Sequence, residues 1–211
     1  MQKLLIAALI ATSFAYADEH EHEREEGILN KAPVVLAGIS SVEKFKSSFE
    51  AGGASLGSEL VGFSSKSVKH EARTSVFSIP ENAKLTNSNY DCHFQTDESG
   101  KIEGTHCHGA GRSEVRDYTA ATGSFTSAEF KQSVENSVAL FEGAFGDPKK
   151  IHDAKFWRST VENEPTIQVK YIWKQNSGEI NTNYMYCHKH QHGNELEMDC
   201  HRQRQPGPFE P

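Results

Sequence analysis

The sequence predicts an α+β fold of two tandem repeats, each a helix packed on a three- to four-stranded antiparallel meander that ends in a disulfide-stapled hairpin. The first observation behind this prediction is that each of the four cysteines is followed by a histidine. The second is that these pairs form two groups of similar spacing, preceded by related helix openings, FKSSFE at 45–50 and FKQSVE at 130–135. Repeats of about 70 to 80 residues have marginal cores, so a disulfide in each would stabilise them.

The first 17 residues have the pattern of a cleavable signal peptide. Lys3 supplies a positive charge, residues 4–14 form an apolar run, and Ala15-Tyr16-Ala17 matches a small-x-small cleavage site. The run is shorter than the roughly 20 apolar residues that span a bilayer, and no later stretch approaches that length. We therefore expect an exported protein with no membrane span and a mature chain that starts at or near Asp18. Bacterial export, to the periplasm or the medium, is favoured over a eukaryotic secretory protein.

Composition limits the classes of partner. The chain has 22 basic and 29 acidic residues and a net charge of −7, which loss of Lys3 with residues 1–17 would make about −8. A negatively charged chain is a poor fit for nucleic acid or an anionic membrane surface. Residues 18–30 are acidic, contain histidine and are predicted to form a disordered tail.

Repeat 1 is predicted over residues 31–108. A capping box formed by Ser40 and Glu43 places the start of its helix there. Strands are expected at 68–79 and 85–96, with a weaker pattern than in the second half of the chain. A linker is predicted over 109–124.

Repeat 2 is predicted over residues 125–204 and has the clearer patterns. Thr126 and Glu129 form a capping box, and apolar residues then recur at helical spacing until the Gly-Asp-Pro at 146–148. Alternation over 167–173 indicates a strand, and the turn signal at 176–178 leads to another strand at 180–190. The helical apolar residues are Phe130, Val134, Val138, Phe141 and Phe145, and the alternating residues are Ile167, Val169, Tyr171 and Trp173. Residues 205–211 are predicted to be a flexible tail.

In repeat size, element order and cysteine count, this arrangement resembles the tandem helix-plus-meander repeats of the secreted β-lactamase inhibitor proteins. Each repeat of those proteins holds its own disulfide. The resemblance is one of architecture, and it assigns no role to any residue of this chain.

The cysteine spacing predicts which cysteines are bonded. The midpoint of each neighbouring pair falls on a turn signal that closes β-hairpins, Ser-Gly at 99–100 and Gly-Asn at 193–194. The predicted disulfides are Cys92–Cys107 and Cys187–Cys200. Strict registry would put the first pair at a hydrogen-bonded position, where the Cα atoms are farther apart, so we expect a bulge in that hairpin.

The histidines are candidate metal ligands. If the cysteines face the core, side-chain alternation turns the adjoining histidines to the other face, with His188 opposite Asp199 and His190 opposite Glu197. Two imidazoles of a His-x-His strand lie about 7 Å apart on one side, and a third ligand across the ladder would complete a site for Zn²⁺ or Cu²⁺. One predicted site comprises His188, His190, His201 and Asp199, and the other comprises His93, His106 and His108.

Two other interpretations of these histidines stay open. Solvated cross-strand pairs of histidine and carboxylate would contribute about 0.2–1 kcal/mol each when the histidine is protonated, and they would tune stability with pH without binding a ligand. A zinc site that uses cysteine thiolates is less favoured, because adjacent Cys and His point to opposite faces of a strand and exported thiols are oxidised.

Cleavage after Ala17 would create another candidate site. A free amino group, two amide nitrogens and the imidazole of a third-position histidine can enclose Cu²⁺ or Ni²⁺ in a square plane. The residues that would form this site are Asp18, Glu19 and His20. The alternative interpretation of this segment is an acidic tail without a ligand.

The sequence contains no motif that assigns catalysis, such as a nucleotide-binding glycine loop, a His-Glu-x-x-His helix or a Gly-x-Ser-x-Gly elbow. The favoured hypothesis is an exported metal-binding module with Zn or Cu, and Cu or Ni at its N-terminus. The alternative is a secreted protein-binding or inhibitor module that uses the sheet face, with the histidine ladder merely structural. In that case the partner is an extracytoplasmic protein, and the candidate aromatic patch comprises Tyr171, Trp173, Tyr184 and Tyr186.

Overall fold

The computed structural model describes residues 27–51, 59–69, 71–79, 88–97, 102–112, 122–193 and 195–211. These residues include two long helices, one short 3-10 helix and eight strands. The helices are α1 (Pro33–Ala51) and α2 (Ser127–Phe145), and the 3-10 helix is Pro148–Lys150. The strands are β1 (Glu59–Val68), β2 (Glu71–Ile79), β3 (Ser88–Thr96), β4 (Ile102–Arg112), β5 (Ile151–Val161), β6 (Glu164–Lys174), β7 (Ile180–His192) and β8 (Glu195–Gln203).

The eight described strands form one antiparallel sheet in the order β4-β3-β2-β1-β5-β6-β7-β8. Each half of the chain contributes a helix followed by a four-stranded meander, and the halves join where β1 pairs with β5, with Phe63 opposite Phe156. The predicted α+β class with antiparallel hairpins is confirmed. The tandem repetition of one unit stays a prediction, and the two meanders form one continuous sheet.

Helix α2 begins at the predicted capping box. The Thr126 hydroxyl accepts a hydrogen bond from the Glu129 backbone nitrogen at 3.2 Å, and the Thr126 backbone nitrogen donates to the Glu129 carboxylate at 2.7 Å. These bonds satisfy two N–H groups that the helix itself leaves without partners. Gly146, with φ of 90°, ends the helix. The prediction of this capping box is confirmed.

Helix α1 begins at Pro33, so the prediction that Ser40 and Glu43 cap its start was wrong. Proline suits the first helical position because the N–H that it lacks would have no partner there. Val35, Ile39 and Val42 recur at helical spacing and are buried, which extends the amphipathic pattern upstream of the false cap. The capping motif was misleading because polar residues also occur inside a helix that is buried on one side.

The core lies between the two helices and one face of the sheet. Phe63, Phe130 and Phe156 form an aromatic cluster with ring centroids 4.8 to 6.4 Å apart. Beneath α2, the ring of Phe141 meets that of Tyr171 edge-on at 5.6 Å. All five side chains are buried, so the helices and this face of the sheet form one apolar layer.

Both predicted hairpins are present. Cys187 and Cys200 are directly opposite each other in β7 and β8 and are bonded, which confirms this disulfide. Cys92 pairs with Cys107 in the backbone register of β3 and β4, and this register shifts at 95–96, as expected of a bulge. The side chains of these two cysteines lie outside the described residues, so their disulfide stays a prediction.

The Cys187–Cys200 disulfide agrees with export, since disulfides persist mainly in oxidising compartments. In the described part of the chain, neither long helix combines the length and apolar character needed to cross a bilayer. The predicted signal peptide and most of the acidic tail fall in residues 1–26, outside the described residues.

Candidate functional site

Successive side chains of β7 and β8 point to opposite faces of the sheet. Cys187 and Met198 are buried toward α2, and both disulfide sulfurs lie 3.6 Å from the Ser133 carbonyl oxygen of that helix. Alternation therefore places the neighbouring histidines on the face away from the helices, which we call the open face. The histidines described there are His188, His190 and His201.

Side chains on the open face contact diagonal neighbours. The backbone register sets His188 opposite Asp199 and His190 opposite Glu197, which confirms the predicted pairing. The side chains, however, meet two residues away from that register. The Nε2 atoms of His188 and His201 lie 3.1 Å apart. The Nδ1 atom of His190 lies 2.9 Å from Oδ2 of Asp199. The twist of paired strands brings such diagonal positions within reach of each other.

The two contacts differ in their chemistry. A carboxylate only accepts hydrogen bonds, so Nδ1 of His190 donates to Asp199, and Nε2 of the neutral His190 ring carries a lone pair. Between His188 and His201, one Nε2 donates and the other accepts, so one lone pair points at the facing ring. Coordination of one ion by both Nε2 atoms would replace this hydrogen bond.

The surroundings of His188 favour its neutral form. Partial burial lowers the pKa of His188, and positive charge on His201 or His190 lowers it further. The ring of Tyr186 packs against both facing histidines, with centroids 5.9 Å from His188 and 5.4 Å from His201. The ring of His190 stacks on His188 at 6.0 Å. Neutral imidazole is the form of histidine that coordinates metals.

The predicted four-residue metal cluster is arranged as two pairs. Where side chains are described, no group of three or more histidine, cysteine, aspartate or glutamate side chains is gathered so as to hold a metal ion. His93 pairs with His106 in the backbone register of β3 and β4. The predicted ligands that lie outside the described side chains are His93, His106, His108, Asp18, Glu19 and His20.

The segment at 205–211, which we call the strap, crosses the open face. The Gly207 backbone nitrogen donates to Oε1 of Gln168 at 3.1 Å. The Pro208 carbonyl oxygen accepts from Trp157 Nε1 at 3.1 Å and from the Ser159 hydroxyl at 2.5 Å. These three sheet side chains are fully buried although they point away from the helices. The segment predicted to be a flexible tail therefore covers part of the sheet.

A groove of about 790 Å³ lies on the open face next to the end of the strap. Its charged lining residues are Lys66, Arg73, Asp153, Lys155, Lys170 and Glu210. The Glu210 carboxylate accepts from Lys155 Nζ at 3.4 Å and from Lys170 Nζ at 3.1 Å. Burial acts to raise the pKa of Glu210, but the hydrogen bond from Lys170 and the charges of both lysines outweigh it and lower the pKa.

No family model and no curated protein matches this chain. Among solved structures, the chain is similar to a proposed lipoprotein of Clostridium difficile, with a TM-score of 0.39 and 8% identity over 76% of this chain and 90% of that chain. A likeness this weak indicates neither a shared fold nor a shared function.

Two of the aromatic residues proposed for an exposed patch are in the core, and that part of the prediction was wrong. Tyr171 and Trp173 lie beneath α2, where the Phe141 ring meets them edge-on at 5.6 and 5.5 Å. They are buried because their strand positions point toward the helix. Tyr184 and Tyr186 alternate with buried Met185 and are half-buried on the open face.

Sequence reasoning missed several residues that shape this face. Tyr186 was predicted only as part of an aromatic patch, although its position two residues before His188 places it on the histidine face. Gln168 and Trp157 gave no such signal, since their burial depends on a strap about 40 to 50 residues further along the chain. The strap contains three prolines and no periodic pattern, so its docking could not be inferred from its own sequence.

Proposed function

We propose that the protein is an exported module that binds a divalent transition-metal ion, Zn²⁺, Cu²⁺ or Ni²⁺, at the open-face histidines of β7 and β8. The observation that supports this is the spacing of 3.1 Å between Nε2 of His188 and Nε2 of His201. Two ligands that each lie about 2.0–2.1 Å from a tetrahedral ion are about 3.3 Å apart. The facing imidazoles therefore need little movement to become a pair of ligands.

His190 is the third ligand in this proposal. Its bond to Asp199 engages Nδ1 and orients the ring, as carboxylates do for metal-bound histidines, so coordination would use Nε2. Its side chain is 49% exposed and its ring already stacks on His188, so it has room to turn toward an ion held by the other two histidines. Asp199 then acts through His190 and not as a direct ligand.

Calorimetric titration of the full chain with each ion, with the disulfide intact, tests the proposal. We expect a Kd below about 10 μM, or roughly −7 kcal/mol, and we expect this binding to be lost in a variant with His188→Ala and His201→Ala. The matched control is His152→Ala, because His152 also contacts an aspartate, Asp153 at 3.2 Å, but lies on β5 outside the cluster.

Three outcomes separate the alternatives. Binding that is weaker than this limit for all three ions, or that is unchanged in the double variant, would overturn the proposal. Binding of Cu²⁺ or Ni²⁺ that disappears when residues 18–23 are removed would place the ion at the predicted N-terminal site instead. Equal losses in the double variant and in His152→Ala would indicate adventitious binding to surface histidines.

A second candidate function is a secreted protein-binding or inhibitor module that uses the open face. The groove favours this candidate, because its volume of about 790 Å³ is that of a ligand site and its lining is rich in basic residues. In this case the histidine pairs would be structural. The two candidates use different residues and can be tested separately.

A further inference from the structure

We propose that the groove on the open face binds an extended acidic segment of a partner protein, and that Glu210 of the strap competes with it for the same lysines. This inference deepens the second candidate function and rests on it. It does not depend on the metal site, so the metal titration and the experiment below can fail independently.

The groove is lined mainly by basic residues, although the chain as a whole is acidic. The whole chain has a net charge of −7, whereas the groove wall without Glu210 has four basic side chains and one acidic one. The basic residues are Lys66, Arg73, Lys155 and Lys170, and the acidic residue is Asp153. A concave site lined by one sign of charge favours ligands of the opposite sign, which here means carboxylates.

The basic residues are arranged as two cross-strand pairs. The register sets Lys66 opposite Arg73 in β1 and β2, and Lys155 opposite Lys170 in β5 and β6. Like charges directly opposite each other destabilise a sheet, so each pair needs a nearby anion. Glu210 supplies one to the lysine pair, and Glu71 contacts Arg73 at 2.9 Å. An acidic ligand would satisfy the same requirement.

The strap is a segment that already binds to the open face, and its contacts indicate how a partner segment would bind there. Its backbone at Gly207 and Pro208 bonds to side chains of the sheet, and its Glu210 carboxylate enters the groove. At Gly207 a Cβ would lie 2.7 Å from Cδ of Gln168, so any larger residue there would require this buried side chain or the strap to move. A partner segment with regularly spaced carboxylates would make the Glu210 contacts and extend them toward Lys66 and Arg73.

Fluorescence anisotropy with a labelled decapeptide of alternating glutamate and glycine tests the inference on the full chain. Glu210→Gln removes the competing carboxylate, and we expect it to tighten binding by about two- to fivefold, the effect of an exposed ion pair. Gly207→Ala should act in the same direction by crowding the strap. In the Glu210→Gln background, Lys170→Gln should weaken binding by about the same two- to fivefold.

The matched control is Lys189→Gln, which removes the same charge from the helix side of β7, where Lys189 contacts Glu129 at 2.8 Å. We expect this variant to bind the peptide as the wild type does, and a peptide with lysine in place of glutamate not to bind. Equal weakening by Lys189→Gln and Lys170→Gln, or no binding to any variant, would overturn the inference. If Gly207→Ala fails to fold, the Glu210→Gln comparison alone decides, and unchanged affinity there would equally overturn it.

Discussion

Phe156 and Trp157 are neighbours in β5, and both are fully buried, but different parts of the chain cover them. The Phe156 ring faces the helices, where its centroid lies 4.8 Å from that of Phe63 and 6.4 Å from that of Phe130. The Trp157 ring faces the other way, and its Nε1 donates to Pro208 of the strap. One strand is therefore covered by helices on one side and by a short irregular segment on the other.

The helix-covered face therefore contributes most of the stability, whereas the open face can exchange ligands. On the helix side, large apolar side chains interdigitate, and their removal leaves cavities that the structure cannot refill. On the open face, the strap is held by a few hydrogen bonds and by ion pairs of exposed side chains, each worth about 0–1 kcal/mol. Both candidate sites lie on this second face, where a ligand can replace existing contacts at modest cost.

Phe156→Ala should have the largest effect, because it removes a buried ring from the helix-covered face. We expect it to lower the free energy of unfolding by about 3–5 kcal/mol, as measured by urea denaturation followed by circular dichroism. Lys174→Ala, at an exposed position on the neighbouring strand β6, is the control and should stay within about 0.5 kcal/mol of the wild type. A loss below about 1 kcal/mol for Phe156→Ala would mean that this face is not the main source of stability.

The second-largest loss of stability is expected when the disulfide is removed with Cys187→Ala and Cys200→Ala. The bond joins residues 13 positions apart, for which the loop-closure entropy amounts to about 3 kcal/mol. Because the bond also fixes the pairing of β7 with β8, the same variant should bind metal more weakly at the opposite face. Thermal unfolding and the metal titration measure the two effects, and an unchanged metal affinity would show that the histidine pairs do not need the bond.

The parts of the fold that were predicted are those specified by residues close together in the sequence. The α2 cap, the β7–β8 register and the Cys187–Cys200 bond each follow from a periodic pattern or a turn signal within about 15 residues. Strand β1 was missed because a polar residue occupies one of its buried positions. Phe63 and Ser65 are both buried, and a serine at the second position hides the apolar alternation in the sequence. Strand β5 was missed because consecutive Phe156 and Trp157 are both buried, so no period of two is visible.

The candidate site was predictable only in part, for the same reason. Strand alternation placed His188 and His190 on the face opposite Cys187, and the register placed Asp199 across from His188. Which side chains touch depends on the twist of the strands and on the side-chain rotamers. As a result, His188 contacts His201 and not Asp199, its partner in the backbone register. The groove could not be predicted, because it combines residues from the six strands β1 to β6 and from the strap.

Removal of residues 205–211 should have a smaller effect than either change on the helix side. It uncovers Trp157 and leaves Gln168 and Ser159 without the backbone partners that the strap provides. We expect a loss of about 1–3 kcal/mol in the free energy of unfolding and a red shift of tryptophan emission. Glu210→Gln, which keeps the strap, is the control and should show neither change. A loss as large as that of Phe156→Ala would contradict the contrast between the two faces.

The smallest expected effect is the dependence of stability on pH at His188. Burial and the neighbouring histidines lower the pKa of His188 in the folded protein. In the unfolded chain the pKa of a histidine is about 6.5, so just below that pH His188 is protonated more often in the unfolded than in the folded protein. The stability that His188 contributes is therefore complete above about pH 6.5 and is lost as the pH falls toward the lowered folded-state pKa. Thermal unfolding between pH 7.5 and 5 should show a shallower decline in His188→Gln than in the wild type, with His152→Gln as the control. Equal declines in the wild type and in His188→Gln would mean that protonation of His188 does not cause this part of the pH dependence.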